Sequence, residues 1–249
     1  MAPVAVRIGD VQPRPLFGAI RAIAFDLDNT LWDIEPVIVR AEQRLREWMQ
    51  RHCPRIPERF TAEDMRSARV LLATDEPYRA HDLSYLRRTT LARHARECGY
   101  GDAVADSAFE IFFAARNELT PFSDVVPALE QLRTRYRLAT LSNGNADLRR
   151  IGLADYFVAS VCAREVGAAK PDPRCFTSLL EALQLDAHEV VYVGDEPRHD
   201  VEGARAAGLG TVWMNRTLSP WPHELPRPQL EVCDLGQLTR LLALPHDQC

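Results

Sequence analysis

An apolar run that stops abruptly on two carboxylates constrains this chain most: Arg21-Ala22-Ile23-Ala24-Phe25-Asp26-Leu27-Asp28-Asn29-Thr30-Leu31. Ile23, Ala24 and Phe25, flanked by Ile20 and Leu27, make the short unbroken run expected of a strand buried on both faces. Such strands belong to parallel sheets covered by helices, and open sheets of that kind present chemistry at the C-terminal ends of their strands. Asp26 and Asp28 stand at that end. A strand leading into a plain Asp/Asn turn would have the same local sequence, so the decision rests on whether the remaining chain supplies partners.

After Trp32 the pattern changes to helical spacing. Residues 36–52 carry Val37, Ala41, Leu45, Trp48 and Met49 on one face, with Pro36 in the first turn. Cys53-Pro54-Arg55-Ile56-Pro57 breaks the helix. Thr61 then caps a second one, with Asp64 completing a variant capping box. A third starts near Asp82 and stops at Gly99, a left-handed cap. A fourth, over residues 103–118, carries Phe109, Phe112 and Phe113. Residues 33–120 therefore read as helix without a strand. They are too many for a single crossover connection, and they predict an inserted helical domain.

Beyond Pro121 strands and helices alternate. Helices are expected over 125–135, 146–151, 173–183 and 201–207, and strands over 136–141, 157–162, 189–193 and 211–214. A last strand and helix fall within 230–244. Residues 1–19, with Pro3, Pro13, Pro15 and Gly18, read as an irregular lead-in. The fold class is thus α/β, a Rossmann-like, doubly wound, mostly parallel sheet, with residues 1–32 and 121–249 forming the core domain.

Four polar stretches follow predicted strands or lie in strand–helix loops: Asp26-Leu27-Asp28-Asn29-Thr30, Ser142-Asn143-Gly144, Lys170-Pro171, and Gly194-Asp195 with Asp200. In a parallel sheet these ends share one rim. Two carboxylates about 4 Å apart repel by roughly 4 kcal/mol at an effective dielectric of 20. Asp26, Asp28, Asp195 and Asp200 brought together therefore require a cation, and an all-oxygen set of this kind suits Mg²⁺. Lys170 and the hydroxyl and amides of Ser142-Asn143 add the positive charge and donors that a transferring phosphoryl group needs.

In this order the four stretches resemble the signature of the haloacid dehalogenase-like hydrolase superfamily: Asp-x-Asp-x-Thr, Ser-Asn, a lysine, and Gly-Asp-x-x-x-x-Asp. Residues 20–32 and 121–244 carry the resemblance, and the helical insert resembles the superfamily's C1-type cap. The resemblance implies that Asp26 is a nucleophile forming an aspartyl-phosphate. Asp28 would be the acid–base, contacting metal through its backbone carbonyl. Asp26 and Asp195 would bind Mg²⁺ directly, with Asp200 acting through a bound water or by orienting Lys170. Ser142 and the Asn143 backbone N–H would hold phosphate oxygens, and Lys170 would neutralise nucleophile and phosphate.

Within the superfamily, an aspartate at the position of Asp28 implies a leaving group that needs a proton, as a phosphate ester does and a halide does not. The resemblance leaves a sugar phosphomutase, a haloacid dehalogenase and a non-catalytic phosphometabolite-binding protein as alternatives. The run continuing through Trp32, Asp33 and Pro36-Val37-Ile38, with Asn143-Gly144-Asn145-Ala146 and Gly152-Leu153-Ala154-Asp155-Tyr156-Phe157, is similar to a bacterial branch. Its members dephosphorylate flavin mononucleotide (FMN) and the ribitylaminouracil phosphate of riboflavin synthesis. A flavin ring would stack on Trp32, Tyr78 or Tyr85, and the cap would open about links near Asp33 and Pro121.

Blander roles stand beside these. Thr30 can simply stabilise the turn, and Asn145 and Asp147 suit a helix start. Glu196 suits a solvated loop, Pro171 and Pro173 shape the lysine loop, and the three phenylalanines suit the cap core. A net charge of −5 gives no field for nucleic acid, and no apolar run has the length of a membrane span. The six cysteines form no C-x-x-C pair and the seven histidines no zinc-spaced cluster. With no signal-peptide pattern, the expectation is a cytoplasmic enzyme with reduced thiols, a monomer or homodimer, acting on a small phosphorylated metabolite.

Overall fold

The computed structural model describes residue 17 and residues 19–243; the rest of the expected lead-in and the end of the last expected helix lie outside them. The first strand, β1 (Ala22–Phe25), is buried along its whole length. Ile23 and Phe25 point to one face of the sheet and Ala22 and Ala24 to the other, as a strand's twofold side-chain period requires.

Five helices make up the segment that follows: α1 (Glu35–His52), α2 (Arg55–Arg59), α3 (Ala62–Asp75), α4 (Leu83–Glu97) and α5 (Ala103–Asn117). The sequence marks their ends. Thr61 accepts from the Asp64 N–H at 3.1 Å while Asp64 accepts from the Thr61 N–H at 2.8 Å. Asp82 caps α4 through the Tyr85 N–H, and Gly99 follows α4 at φ 73°. The break expected at Cys53–Pro57 is present, and Pro54 and Pro77 each begin a new turn where the previous helix has ended. Leu45, Met49, Leu91, Phe109 and Phe112 gather into an apolar cluster of their own.

The chain then alternates: α6 (Val125–Leu132), β2 (Arg137–Ser142), α7 (Leu148–Ile151), β3 (Ala159–Cys162), α8 (Ala163–Val166), α9 (Pro173–Leu183), β4 (Val190–Gly194), α10 (Gly203–Ala206), β5 (Gly210–Met214), β6 (Leu230–Val232) and α11 (Leu235–Ala243). The strands form one sheet in the order β3-β2-β1-β4-β5-β6, and every pairing is parallel. On one face α6 and α11 cover Ile23, Phe25 and Val193; on the other, α9 covers Ala24, Leu141 and Tyr192. Connections leave β1 towards β2 on one side and return to β4 on the other. The direction of winding therefore reverses between β1 and β4, and a crevice opens beyond their C-terminal ends.

Two local departures from the expected elements matter. The helix expected over 201–207 begins earlier, as a π-helical turn (Pro197–Glu202) leading into α10. That wider turn buries Asp200. The short α8 occupies what reads as loop in the sequence. Among the described residues no helix is long and apolar enough to cross a membrane.

Leu45 is 1% exposed in the helical cluster, whereas Val39 on the same helix is 63% exposed. Leu45→Ala should lower unfolding free energy by about 2–5 kcal/mol in urea titration, and Val39→Ala by less than about 0.5 kcal/mol. Equal effects would contradict the helical cluster's role as a core.

Candidate active site

Phe25 pairs with Val193 of β4 and Thr140 of β2, so the residues just after these three strands meet at one rim. Asp26 continues β1 through its N–H to the Val193 carbonyl at 2.8 Å. Into this rim the loop before α9 inserts Lys170, whose side chain is only 2% exposed. Its Nζ donates to Asp26 Oδ1 at 2.5 Å, Asp200 Oδ1 at 2.6 Å and the Tyr192 hydroxyl at 2.8 Å. All three donor positions of the ammonium are used. Tyr192 passes its own proton to the Leu141 carbonyl at 2.7 Å.

The loop that carries Lys170 is fixed by Asn143. The Asn143 side-chain carbonyl accepts from the Lys170 N–H at 2.7 Å, and its amide donates to the Lys170 carbonyl at 3.1 Å. Ser142 Oγ accepts from the Gly144 N–H at 2.9 Å. Both expected phosphate-holding residues therefore stand at the rim, and the Asn143 side chain has the further task of seating the lysine.

Asp195, Asp26 and Asp200 offer one carboxylate oxygen each within 4.8 Å of one another. Asp200 accepts Lys170 on Oδ1 and the Glu196 N–H on Oδ2, at 2.9 Å, so it orients the lysine. Thr30 reaches beyond its turn to donate to Asp195 Oδ1 at 3.3 Å, and Trp213 donates to the Asp195 carbonyl at 2.8 Å. Three carboxylates facing one ammonium leave two negative charges in excess if all are ionised. Burial pushes the Asp26 carboxyl well up, opposed by Lys170 and reinforced by Asp200 and Asp195. Burial, then Asp200, pushes Asp195 up to about 7. Burial opposes the charge on Lys170, but Asp200 and Asp26 outweigh it and hold the amine well above its ordinary range. The donor set is all oxygen, clustered and short of positive charge, which fits a hard divalent cation such as Mg²⁺.

The Asp28 carboxylate stands apart from the other three acids, engaged by other donors, and this leaves the expected metal contact through its backbone carbonyl untouched. Trp32 Nε1 donates to Oδ1 at 2.7 Å, and Arg116 Nη2 donates to Oδ1 at 2.9 Å and Oδ2 at 3.0 Å. Trp32 is completely buried, so it offers no open ring face for a flavin; it holds Asp28 instead. Tyr78 is exposed on a turn, and the Tyr85 hydroxyl is tied to Glu76 at 2.7 Å. Neither lines the cavity of about 580 Å³ between the helical segment and the β2–β3 end of the sheet. That cavity is bordered by Ser84, Arg88, Phe109, Phe113 and Asn145.

Arg116, Asn145 and Tyr192 were not singled out as site residues by sequence reasoning. Arg116 had a visible signal: it lies four residues beyond Phe112 and seven beyond Phe109, so a charge falls on an otherwise buried stripe. Asp147 caps α7 through the Arg149 N–H, as its sequence position implies. Glu196 likewise accepts from the Arg198 N–H. Asn145 instead bridges Arg116 and Ser84, at 3.1 Å each.

Gly194 explains the Gly-Asp pair. A Cβ there would lie 2.3 Å from Asp200 Oδ2, so only glycine lets that carboxylate pack over the strand end. Gly194→Ala should destabilise the protein by about 1–3 kcal/mol and displace Asp200 in a crystal structure of the variant. An unmoved Asp200 would contradict this packing.

The whole chain compares with known proteins as follows. A family profile described as haloacid dehalogenase-like hydrolase matches residues 20–208. The 5-amino-6-(5-phospho-D-ribitylamino)uracil phosphatase YigB of Escherichia coli K12 is 31% identical over 237 residues, 92% of this chain and 98% of its own. The (S)-2-haloacid dehalogenase of Pseudomonas sp. strain YL is 30% identical over 242 residues, 89% of this chain and 94% of its own. A crystal structure described as 2-haloacid dehalogenase from Pseudomonas syringae pv. tomato DC3000 is 38% identical with a TM-score of 0.86, covering 90% of this chain and 98% of that one. A parallel sheet in this order, a lysine seated among strand-end carboxylates and a family match across most of the chain agree: the protein belongs to the haloacid dehalogenase-like hydrolase superfamily.

Proposed function

We propose that this hydrolase is a Mg²⁺-dependent phosphatase acting on a small phosphomonoester through an aspartyl-phosphate, with the helical segment serving as its cap. The observation that carries this reading is Asp28: a carboxylate built into the rim beside Asp26 but held separately from the Asp26–Asp195–Asp200 cluster. Asp26 supplies the nucleophilic oxygen and Lys170 partly neutralises it. A bond forms from Asp26 to phosphorus as the ester P–O bond breaks, and Asp28 gives its proton to the departing alcohol. In the second half Asp28 takes a proton from water as the water oxygen bonds to phosphorus. The P–O bond to Asp26 then breaks, releasing inorganic phosphate and restoring the Asp26 carboxylate and the protonated Asp28. Ser142 and Asn143 are placed to position the phosphoryl oxygens. Asp26 and Asp195 would hold the cation beside Asp200; when bound it supplies charge neutralisation for an anionic substrate approaching carboxylates.

FMN or the ribitylaminouracil phosphate of riboflavin synthesis is the favoured substrate. The E. coli relative named for the latter supports this over nearly its full length. The cavity of about 580 Å³ at the seam, bordered by Asn143 and Gly144 and not by Asp26, Asp28 or Lys170, lies beside the rim and within the usual size range for small-molecule sites.

A second reading, carbon–halogen cleavage, is favoured by the name of the 38% identical solved structure. A halide departs without a proton, so that chemistry leaves Asp28 unused.

Phosphate release from a panel of phosphorylated metabolites, set beside halide release from 2-haloacids, separates the two. The expected outcome is phosphate release only, abolished by chelation and reduced more than about 10³-fold by Asp26→Asn. Halide release without phosphate release would overturn the phosphatase reading.

Metal binding should also depend on pH. Asp195 sits at about 7 in the folded chain, above the ordinary 3.8, so the folded protein binds this proton more tightly than the unfolded one. The metal-free protein therefore loses stability as pH rises through that window, by at most about 1.4 kcal/mol per pH unit for one proton. A cation that binds the ionised form recovers it. The rise in melting temperature on adding Mg²⁺ should grow between about pH 5 and 7 and level off above. An increment that does not change with pH would rule out Asp195 as a ligand.

A further inference from the structure

Arg116 is a charged residue in a place where charge is expensive. It sits near the end of α5 at 1% exposure, between the helical segment and the core. Its Nη2 spans both oxygens of Asp28, and its Nε donates to Asn145 Oδ1. Its Nη1 is shut away from solvent with no partner. A buried donor left unpaired costs about 1–3 kcal/mol, and a buried ion pair is often no more stable than an apolar replacement of similar volume. Stability alone gives a poor reason for an arginine here.

The oxygens of Asp28 are not equivalent. Oδ1 carries two donors, Trp32 and Arg116, whereas Oδ2 carries Arg116 alone. Oδ2 also faces Gly144, where a Cβ would come within 2.7 Å of it. Next along α5, Asn117 Oδ1 accepts from the Asp147 N–H at 2.8 Å. The end of α5 therefore touches the core at Asn145 and Asp147 as well as at Asp28.

Resting on the phosphatase reading above, we propose that Arg116 is a positioning residue for Asp28. With Trp32 it fixes Oδ1, so that Oδ2 is the oxygen that exchanges the proton. In the first transfer Asp26 bonds to phosphorus, the ester P–O bond breaks, and the proton on Asp28 Oδ2 passes to the departing oxygen. Trp32 belongs to the same loop as Asp28, but Arg116 comes from the helical segment. The acid–base is therefore fully aligned only when that segment is seated on the core.

Leaving groups distinguish this role from a structural one. Nitrophenolate departs as a stable anion and needs little protonation; an alkoxide needs a proton. The quantity to measure is kcat/KM of the full chain with Mg²⁺, since it reports the steps through leaving-group departure. The substrates are p-nitrophenyl phosphate and the alkyl phosphate that the wild type turns over fastest. Arg116→Met should lower kcat/KM about 10²-fold on the alkyl ester and less than about 10-fold on the nitrophenyl ester, with an unchanged or raised melting temperature. Arg116→Lys should recover part of the loss as a point charge without the fork, and it provides the same comparison should the methionine variant fold poorly. In an Asp28→Asn background, Arg116→Met should cost little more on the alkyl ester. Equal losses on the two esters, or additive losses in the double variant, would overturn the positioning role and leave the phosphatase reading intact. A wild type that releases no phosphate from any ester would overturn both.

Discussion

The site depends on a single buried ammonium. Lys170 Nζ has no water to solvate it and meets Asp26, Asp200 and the Tyr192 hydroxyl instead. Removing it would leave three carboxylates with oxygens within 4.8 Å of one another, each pair repelling by at least about 3.5 kcal/mol at a dielectric of 20. Keeping it still leaves negative charge in excess, and this surplus makes the rim a place for a cation. The lysine thus satisfies the fold's need to bury these acids and leaves unmet the need that a divalent ion would fill. The elements around it serve that balance. Tyr192 reaches from β4 to the end of β2, Asn143 seats the lysine backbone, and the π-helical turn brings Asp200 over Gly194.

Asp26 and Asp28 are two residues apart yet belong to different electrostatic neighbourhoods. Asp26 is buried against the lysine and crowded by other carboxylates. Asp28 is a quarter exposed and held by neutral and cationic donors. Leu27, between them, turns into the core, and Asn29, just after Asp28, adopts a left-handed conformation, φ 61°, that lets the chain double back so that the Asn29 N–H meets the Trp32 carbonyl at 2.7 Å. Asparagine tolerates that region better than most residues. The turn therefore separates the two acids electrically while keeping both at one rim, as two distinct chemical roles demand.

Much of this was legible in the sequence because it is local. The buried strand, the acids at its end, the Thr61 and Asp147 caps and the Pro173–Leu183 helix all follow from patterns a few residues long. Convergence of Asp26, Lys170, Asp195 and Asp200 was legible for a different reason: parallel strands in a doubly wound sheet must bring their C-terminal ends together. Arg116 escaped because its partner is 88 residues away and in another layer. No local period specifies how a helical segment lies on a sheet. Trp32 was misjudged on the same ground: its place next to the rim was legible, but whether the ring faced a ligand or the interior depended on the long-range apolar cluster it joins.

Similarity to proteins named as phosphatases and as dehalogenases is what this division of labour would produce. On the proposed mechanism an aspartate nucleophile at the end of β1, next to a seated lysine, would serve displacement at phosphorus and at carbon alike, so the scaffold does not choose between them. The choice falls to the leaving group, and a leaving group is handled by whatever stands opposite the nucleophile. In the proposed mechanism that is Asp28, held by one residue of its own loop and one arriving from the helical segment. On that reading substrate enclosure and proton delivery would be mechanically linked: the same seating of α5 that closes the seam would complete the hydrogen bonds of the acid. An open enzyme would have its nucleophile in place, fixed by the core, but an incompletely aligned acid. Alkyl phosphates would then be cleaved efficiently only inside the closed seam.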